Sequence, residues 1–416
     1  MKVLLLNQAF YPDVVSTAQH LADLALGLIE RGDEVTVICG GHGYDDGRVR
    51  FRKKEVWNGI EIIRVPSSSF GKGSRWRRAL DFGSFMISCA AALAVSRKFD
   101  MVVSLTSPPL ISVLGALFTK IRGGHLFSWV MDLNPDEAIA AGWLRSESLA
   151  ARALSSLTLY SFDKSAKIIV LDRFMKTRVA GMGVPEEKIE VISPWSHDHM
   201  VKYDQAGRLA FREGHGLTGK FVVMHSGNHS PCHPMDTLLE AANRMSSDDE
   251  VRFCFVGGGS EMAKIRRYRE TFALENITCL PYQPLEGLSA SLSAADLHVV
   301  VMGDEFVGIV HPCKVYNIIS LGIPLLYIGP GESHIGDLMA RGDWAGLSHR
   351  ADHGNVQAVV DQVLSAKRFR ATVRSHAPAA ACTKDVRLRR LIQSIAPETG
   401  DFPTGPRLDA PATVIR

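Results

Sequence analysis

Val223-Met-His-Ser-Gly-Asn-His-Ser-Pro-Cys-His-Pro-Met-Asp-Thr-Leu-Leu-Glu-Ala241 passes from an apolar run through a glycine-containing turn into a helical pattern. Strand, turn and helix in that order make half of a parallel crossover unit, and the same succession recurs on both sides. Phe221 to His225 opens the set, and Val251 to Val256, Ile277 to Leu280, Leu297 to Val301 and Leu325 to Ile328 read as further buried strands. Helices are expected from about Pro234, Glu261, Glu286, Pro312 and Glu332.

Upstream the alternation lapses between Ser193 and Lys220, where Ser193-Pro-Trp-Ser-His-Asp-His199 leads into a polar stretch. Before that gap, Val3 to Leu6, Val35 to Cys39, Ile60 to Val65, Met101 to Leu105, Leu126 to Val130, Ile168 to Leu171 and Ile189 to Ile192 read as strands. A helix over about Thr17 to Arg31 places Leu21, Leu24, Ala25, Leu28 and Ile29 on one face and stops at Gly32. Short continuous apolar strands alternating with helices indicate parallel sheets covered on both faces. The expected fold class is therefore α/β, with two Rossmann-like doubly wound parallel-sheet domains facing a cleft. Residues 1–195 form the first. Residues 196–395 form the second, with its last helix free to pack back on the first, and 396–416, with four prolines, read as a flexible tail.

The 416 residues and a hydrophobic fraction of 46% are ample for two cores, which excludes a disordered or fibrous chain. Lys+Arg 47 against Asp+Glu 44 leaves +3, so no chain-wide positive field points to nucleic acid as a partner. Seven scattered cysteines, Cys39, Cys89, Cys232, Cys254, Cys279, Cys313 and Cys382, include no CxxC pair and suit a reducing compartment. Phe82 to Val95 is shorter than a bilayer crossing, and Met101 to Lys120 is broken by Pro108-Pro109, so no transmembrane span is expected. The first ten residues are too short an apolar stretch for a signal peptide.

With the strand ending in Ser226-Gly-Asn228 and the helix carrying Leu238-Leu-Glu-Ala241, the chain resembles the family-4 glycosyltransferases of GT-B fold, in particular the branch that builds bacterial capsule, exopolysaccharide and O-antigen chains. The likeness runs over about residues 1 to 365. It includes Tyr11-Pro12, Arg31-Gly-Asp-Glu-Val35, Thr106-Ser-Pro-Pro109, Asp132-Leu-Asn-Pro-Asp136, Val184-Pro-Glu-Glu-Lys-Ile189, Phe255-Val-Gly-Gly-Gly259 and Ala294-Ala-Asp296. The order and spacing of these motifs carry it.

The resemblance implies transfer of a hexosyl or N-acetylhexosaminyl group from a nucleoside diphosphate sugar to an acceptor hydroxyl with retention. It implies a lipid-linked or oligosaccharide acceptor and a place at the cytoplasmic face of the membrane. No cofactor and no metal are expected. Gly308 to Pro324 aligns with the loop and helix that hold diphosphate and ribose in the family, which makes Gly308, Pro312, Cys313, Lys314 and Asn317 donor-side candidates. Pro312 suits a first helical turn with backbone N–H groups directed at an anion, and Lys314 adds a positive charge beside them. Gly227, Asn228, His233 and Gly258 complete the donor set. The family's common glutamate pair is replaced by Ile309 and Asn317, and its Arg and Lys after the first strand of this domain match Asn228 and His233.

Asp132, at the cleft end of the strand Leu126 to Val130, is the candidate catalytic contact for acceptor hydroxyl or donor sugar, beside Lys314; the competing reading is a helix cap. Tyr11, Thr106 and Ser107 are acceptor-side candidates. No paired-carboxylate arrangement of the glycosidase kind is visible. His229, Cys232, His233, His311 and Cys313 lie on two loops expected at one cleft, where imidazole and thiolate could hold zinc, though the spacing matches no known module. Arg75, Trp76, Arg77 and Arg78, preceding Phe82 to Val95, have the composition of a helix lying on an anionic membrane surface, while Phe85, Met86, Cys89 and Leu93 fit a buried core equally well. Two other activities share the architecture: a nucleotide-sugar 2-epimerase and a non-catalytic nucleotide-binding subunit.

Overall fold

The computed structural model describes residues 1–13, 15–43, 47–70, 75–195, 201–341, 348–369 and 384–396. Its first sheet contains β1 (Lys2–Leu6), β2 (Glu34–Gly40), β3 (Lys54–Trp57), β4 (Ile60–Val65), β5 (Met101–Ser104), β6 (His125–Trp129), β7 (Ser165–Val170) and β8 (Ile189–Val191). The order is β3-β4-β2-β1-β5-β6-β7-β8, parallel throughout except for the β3–β4 pair. Leu4, Leu5, Val37, Ile38, Val102 and Val103 are all at 0% exposure. Strands buried on both faces must be wholly apolar, which is why they read as continuous runs. The edge strand β3 leaves Val56 exposed and turns into β4 through Asn58-Gly59, both at positive φ, so its signal is the turn and not an apolar run.

The second sheet contains β9 (Phe221–Asn228), β10 (Val251–Gly258), β11 (Ile277–Leu280), β12 (Leu297–Val301), β13 (Leu325–Ile328) and β14 (Ser348–Ala351), in the all-parallel order β11-β10-β9-β12-β13-β14. Strand order reverses direction at β1/β5 in one sheet and at β9/β12 in the other. Both reversals open a crevice at the carboxyl ends of the strands, the general location of ligands in such sheets.

The polar stretch after Ser193 corrects the sequence reading, because it holds a helix, Gln205–Gly214. Its buried side chains are Arg208 and Arg212, which reach Asp296 at 2.5 and 2.6 Å and the carbonyls of Ser293 and Ala294. A helix that buries guanidinium groups has no apolar periodicity to detect. The segment next to the expected hinge, 196–200, and the tail from 397 onward lie outside the described residues.

One contiguous apolar cluster joins Trp129, Met131 and Trp195 beside the first sheet to Val315, Tyr316, Ile309 and Ile335 beside the second. Trp195 donates its indole N–H to Asp23 at 2.8 Å. The helix Lys384–Ile395 returns to the first sheet's helix Ser16–Glu30, where Ile392 and Leu388 close over Gly27 and Lys384 pairs with Asp23. Among the described residues no helix is long and apolar enough to cross a membrane.

Candidate active site in the crevice

Lys314 begins the helix Lys314–Leu321, and its ammonium lies over the end of β9. A Cβ on Gly227, at φ +124°, would stand 3.3 Å from Nζ, so the glycine leaves the passage through which the lysine reaches the strand end. Nζ is 3.0 Å from His225 Nε2. Burial pulls the Lys314 ammonium down to about 8. Desolvation favours the neutral amine, and no carboxylate among the described residues pairs with it to restore the charge.

His225, His229 and His233 surround this lysine. Their Nδ1 atoms lie 3.0 Å from the Val299 carbonyl, 3.3 Å from that of Gly258 and 2.6 Å from that of Val301. A carbonyl only accepts, so each Nδ1 carries the proton in the neutral ring. Burial, and after it the charge of Lys314, hold His225 and His233 well below the usual histidine range and bring His229 to about 4. The expected phosphate contact at His233 is thus placed beside Lys314, with its Nδ1 committed to the backbone.

Across the crevice, Asp132 follows β6. Its backbone N–H donates to Thr106 Oγ1 at 3.2 Å, which ties the β5 and β6 loops together. The short helix Asp136–Ala140 is preceded by Pro135, so Asp132 caps nothing. Burial pushes its carboxyl up to about 8, with the Glu137 carboxylate adding to the rise and Arg78 opposing it. Glu137 is raised too, first by burial, while Asn134 donates to it at 3.3 Å. Two carboxyl groups therefore act as a pair here, which sequence spacing did not reveal: Glu137 lies in the helix after the motif and only the turn at Pro135 returns it. Leu105, Thr106, Ser112, Asn134 and Thr158 line a cavity of about 20 Å³ with Asp132, room for one water-sized group.

Asp132 meets the donor loop through its neighbour, because the Leu133 N–H donates to the Ile309 carbonyl at 2.8 Å. Gly308, at φ +70°, sits where any Cβ would come within 2.7 Å of the Phe174 backbone, so its requirement is close approach of the two units. Pro312 is buried just before the helix, and Cys313, raised to about 12 by burial, donates its thiol to the His311 carbonyl. Asn317 is half-buried one turn beyond Lys314, Asn228 is exposed at the end of β9, and Gly258 packs against the Tyr282 ring. Tyr11 stacks on Trp57 at 4.0 Å with 11° between the rings. The Ser107 carbonyl accepts from Gln8 at 2.6 Å.

The histidines and cysteines singled out as one zinc set separate in space. His311 leaves His229, Cys232 and His233 and joins Asp172 and His334. Its ring stacks on His334 at 3.7 Å with 24° between planes. Face-to-face rings cannot both aim in-plane lone pairs at one ion. Asp172 Oδ2 instead lies 2.7 Å from His311 Nδ1, and His311 Nε2 is 2.8 Å from the Tyr316 hydroxyl. Burial acting alone would raise Asp172, but the hydrogen bond and charge of His311 outweigh it and hold the carboxyl at about 2.

Of the basic run, the side chain of Arg75 lies outside the described residues. Trp76 is 60% exposed, the Arg77 guanidinium lies over its ring, and Arg78 reaches the rings of Phe82 and Trp143. Phe85, Cys89 and Leu93 are buried in the sheet's core, so the apolar stripe of this helix faces inward.

Residues 17–195 match the glycosyl transferase 4-like domain. The chain is 23% identical over 378 residues to the Escherichia coli K12 protein assigned to colanic acid biosynthesis as the glycosyl transferase WcaI, covering 86% of this chain and 90% of that one. It is 22% identical over 271 residues to the Pseudomonas aeruginosa protein assigned as the glycosyltransferase WbjE, covering 64% and 66%. Among solved structures it is similar to Anabaena Alr3699/HepE in complex with UDP-glucose, with a TM-score of 0.69, 16% identity and 95% and 99% of the two chains covered. It is also similar to WaaG, a glycosyltransferase of lipopolysaccharide biosynthesis, with a TM-score of 0.64, 15% identity and 95% and 100% covered.

Proposed function

Because residues 17–195 match a glycosyl transferase 4-like domain and the two-sheet fold is similar to those of solved glycosyltransferases, we propose that this chain is a family-4 glycosyltransferase of GT-B fold in polysaccharide biosynthesis, moving a sugar from a nucleoside diphosphate sugar to an acceptor hydroxyl with retention. The observation that carries this reading is Lys314, a partly buried ammonium without a carboxylate partner among the described residues, at the carboxyl end of β9. Such a group is complementary to a diphosphate, which gains negative charge as the glycosidic bond breaks. The solved complex of HepE with UDP-glucose supports the same donor class.

In this reading the bond from the anomeric carbon to the β-phosphate oxygen breaks and its electron pair passes to the phosphate beside Lys314. The acceptor oxygen bonds to the same face of that carbon, and its proton goes to the departing phosphate oxygen. Lys314 holds the leaving group without a metal. Asp132, its carboxyl raised to about 8, is a hydrogen-bond donor at neutral pH and orients sugar or acceptor oxygens. Gly227, Asn228, His233, Gly258, Gly308, Pro312, Cys313 and Asn317 surround the donor, and Tyr11, Thr106 and Ser107 the acceptor. A lipid-linked acceptor would be met at the membrane surface, with exposed Trp76 beside Arg77 and Arg78 as the contact.

The test is a calorimetric panel of UDP, GDP and dTDP, followed by turnover of the matching sugar nucleotides with and without acceptor and with EDTA. Transfer that survives EDTA and preserves the anomeric configuration supports the reading. Epimer formation without acceptor, or binding with no turnover across the panel, overturns it. Vesicle sedimentation with anionic and zwitterionic lipid, comparing the parent with Trp76→Ser, tests the membrane contact.

A further inference from the structure

We propose that His225 is the positioning residue for Lys314, holding the ammonium over the end of β9 by accepting its N–H while leaving its charge uncancelled. This rests on the reading of Lys314 as the group that receives the diphosphate.

The argument starts at the strand. His225 lies within β9, 1% exposed, with Nδ1 3.0 Å from the Val299 carbonyl of the neighbouring β12. That acceptor fixes the proton on Nδ1, so Nε2 presents a lone pair, and Lys314 Nζ lies 3.0 Å from it. A partly buried ammonium with no acceptor would swing toward water or lose its proton. With a carboxylate as acceptor it would stay charged and in place, yet the carboxylate would cancel its field and repel an arriving diphosphate. A neutral imidazole avoids both outcomes, since it occupies one N–H and leaves two for a phosphate.

The surroundings keep the imidazole neutral. His229 and His233 face His225 with ring centroids at 4.9 and 5.9 Å, and both commit Nδ1 to backbone carbonyls. His229 Nε2 is buried and without a partner among the described residues. Among the described residues the remaining titratable group facing the lysine is Cys232, whose thiol burial pushes up to about 12. Asp132 and Glu137 face that cysteine from the first unit. Gly227, two residues beyond His225, removes the one side chain that would displace the ammonium.

The experiment compares His225→Leu, His225→Gln and His225→Asp with the parent and with Lys314→Ala. Binding of the nucleoside diphosphate preferred by the parent is measured at pH 8 by calorimetry in buffers of different ionisation heat, which also reports proton uptake. Loss of the acceptor in His225→Leu weakens binding at least about fivefold, and His225→Gln, whose amide oxygen is an uncharged acceptor, restores it to within about twofold. His225→Asp weakens binding and abolishes the proton uptake seen in the parent, because a carboxylate keeps the lysine charged beforehand. Equal affinity in the Leu and parent proteins, or a Gln variant as weak as the Leu variant, overturns the proposal. Should the Leu variant fail to fold by thermal denaturation, an Asp variant with parental affinity and parental proton uptake overturns it equally. Lys314→Ala separates the two readings: unchanged affinity there removes Lys314 from the donor site, whereas a loss there with parental behaviour in every His225 variant removes only His225.

Discussion

His311 Nδ1 and Asp172 Oδ2 meet at 2.7 Å, joining the loop that leads to the Lys314 helix with the residue that caps the helix Arg173–Gly181. The contact is buried, with side-chain exposures of 1% and 6%. It stands beside a bidentate pair from Arg173 to Asp337. The two units are therefore held together by a charge-assisted bond next to the donor loop.

Removing Asp172 leaves His311 and His334 buried without their carboxylate and the next helix without its cap. Asp172→Ala is expected to lower unfolding stability by about 3 kcal/mol, measured by denaturant titration. The Asp172 carboxyl is depressed to about 2, below its unfolded value, so its contribution is present above the unfolded pKa and fades as pH falls toward 2. The difference between parent and variant should accordingly shrink in acid.

Lys314→Ala should reduce transfer at least about tenfold, or about 1.4 kcal/mol of transition-state stabilisation, with an unchanged thermal midpoint. Because the ammonium of the parent titrates near 8, its affinity for nucleoside diphosphate should decline as pH rises beyond that value, and the variant should show no such decline. Retention of full kcat in Lys314→Ala would exclude the residue from the reaction.

Asp132 is predicted to act as a neutral carboxyl group. Asp132→Asn should then stay within about tenfold of parental turnover, while Asp132→Ala loses about a hundredfold. At saturating donor, where the titration of Lys314 in the free protein no longer limits binding, parental turnover should fall above pH 8 as the carboxyl ionises, a limb absent from the Asn variant. A rate profile without that limb would assign Asp132 a purely structural place.

Six buried histidines, His20, His225, His229, His233, His298 and His334, have depressed pKa values. For a base this means the unfolded chain binds protons below about 6.5 that the folded chain does not, so stability falls as pH drops through that region. Each contributes at most about 1.4 kcal/mol per pH unit. Asp132, raised to about 8, works in the opposite direction and offsets one of them. The melting temperature should decrease from pH 7 to pH 5.

Asp296 accepts from both Arg208 and Arg212, at 2.5 and 2.6 Å, and also from the Val222 N–H. Asp296→Ala would strand two buried guanidinium groups. A loss of about 3 kcal/mol is expected, and circular dichroism should show fewer helical residues as Gln205–Gly214 detaches.

What could be read from the chain alone was the alternation of strands and helices, because a parallel strand buried on both faces carries its environment in its composition. Ile60–Val65, Ile277–Leu280, Leu297–Val301 and Leu325–Ile328 keep the bounds they had as apolar runs. The candidate cleft motifs were legible for a related reason: the carboxyl ends of such strands, at Gly227 in β9 and just before Asp132 after β6, must lie at one edge of a sheet. Residues whose roles depend on partners far along the chain were not legible. The helix Gln205–Gly214 escaped because its buried face is two arginines neutralised by an aspartate 84 to 88 positions away. Glu137 became a partner of Asp132, His225 a support for Lys314, and His311 a companion of Asp172 and His334 only once the two sheets packed together. Burial and pairing set the charge of an ionisable side chain, and both are properties of the assembled fold, whereas the period of an apolar pattern is local and survives in the string of residues.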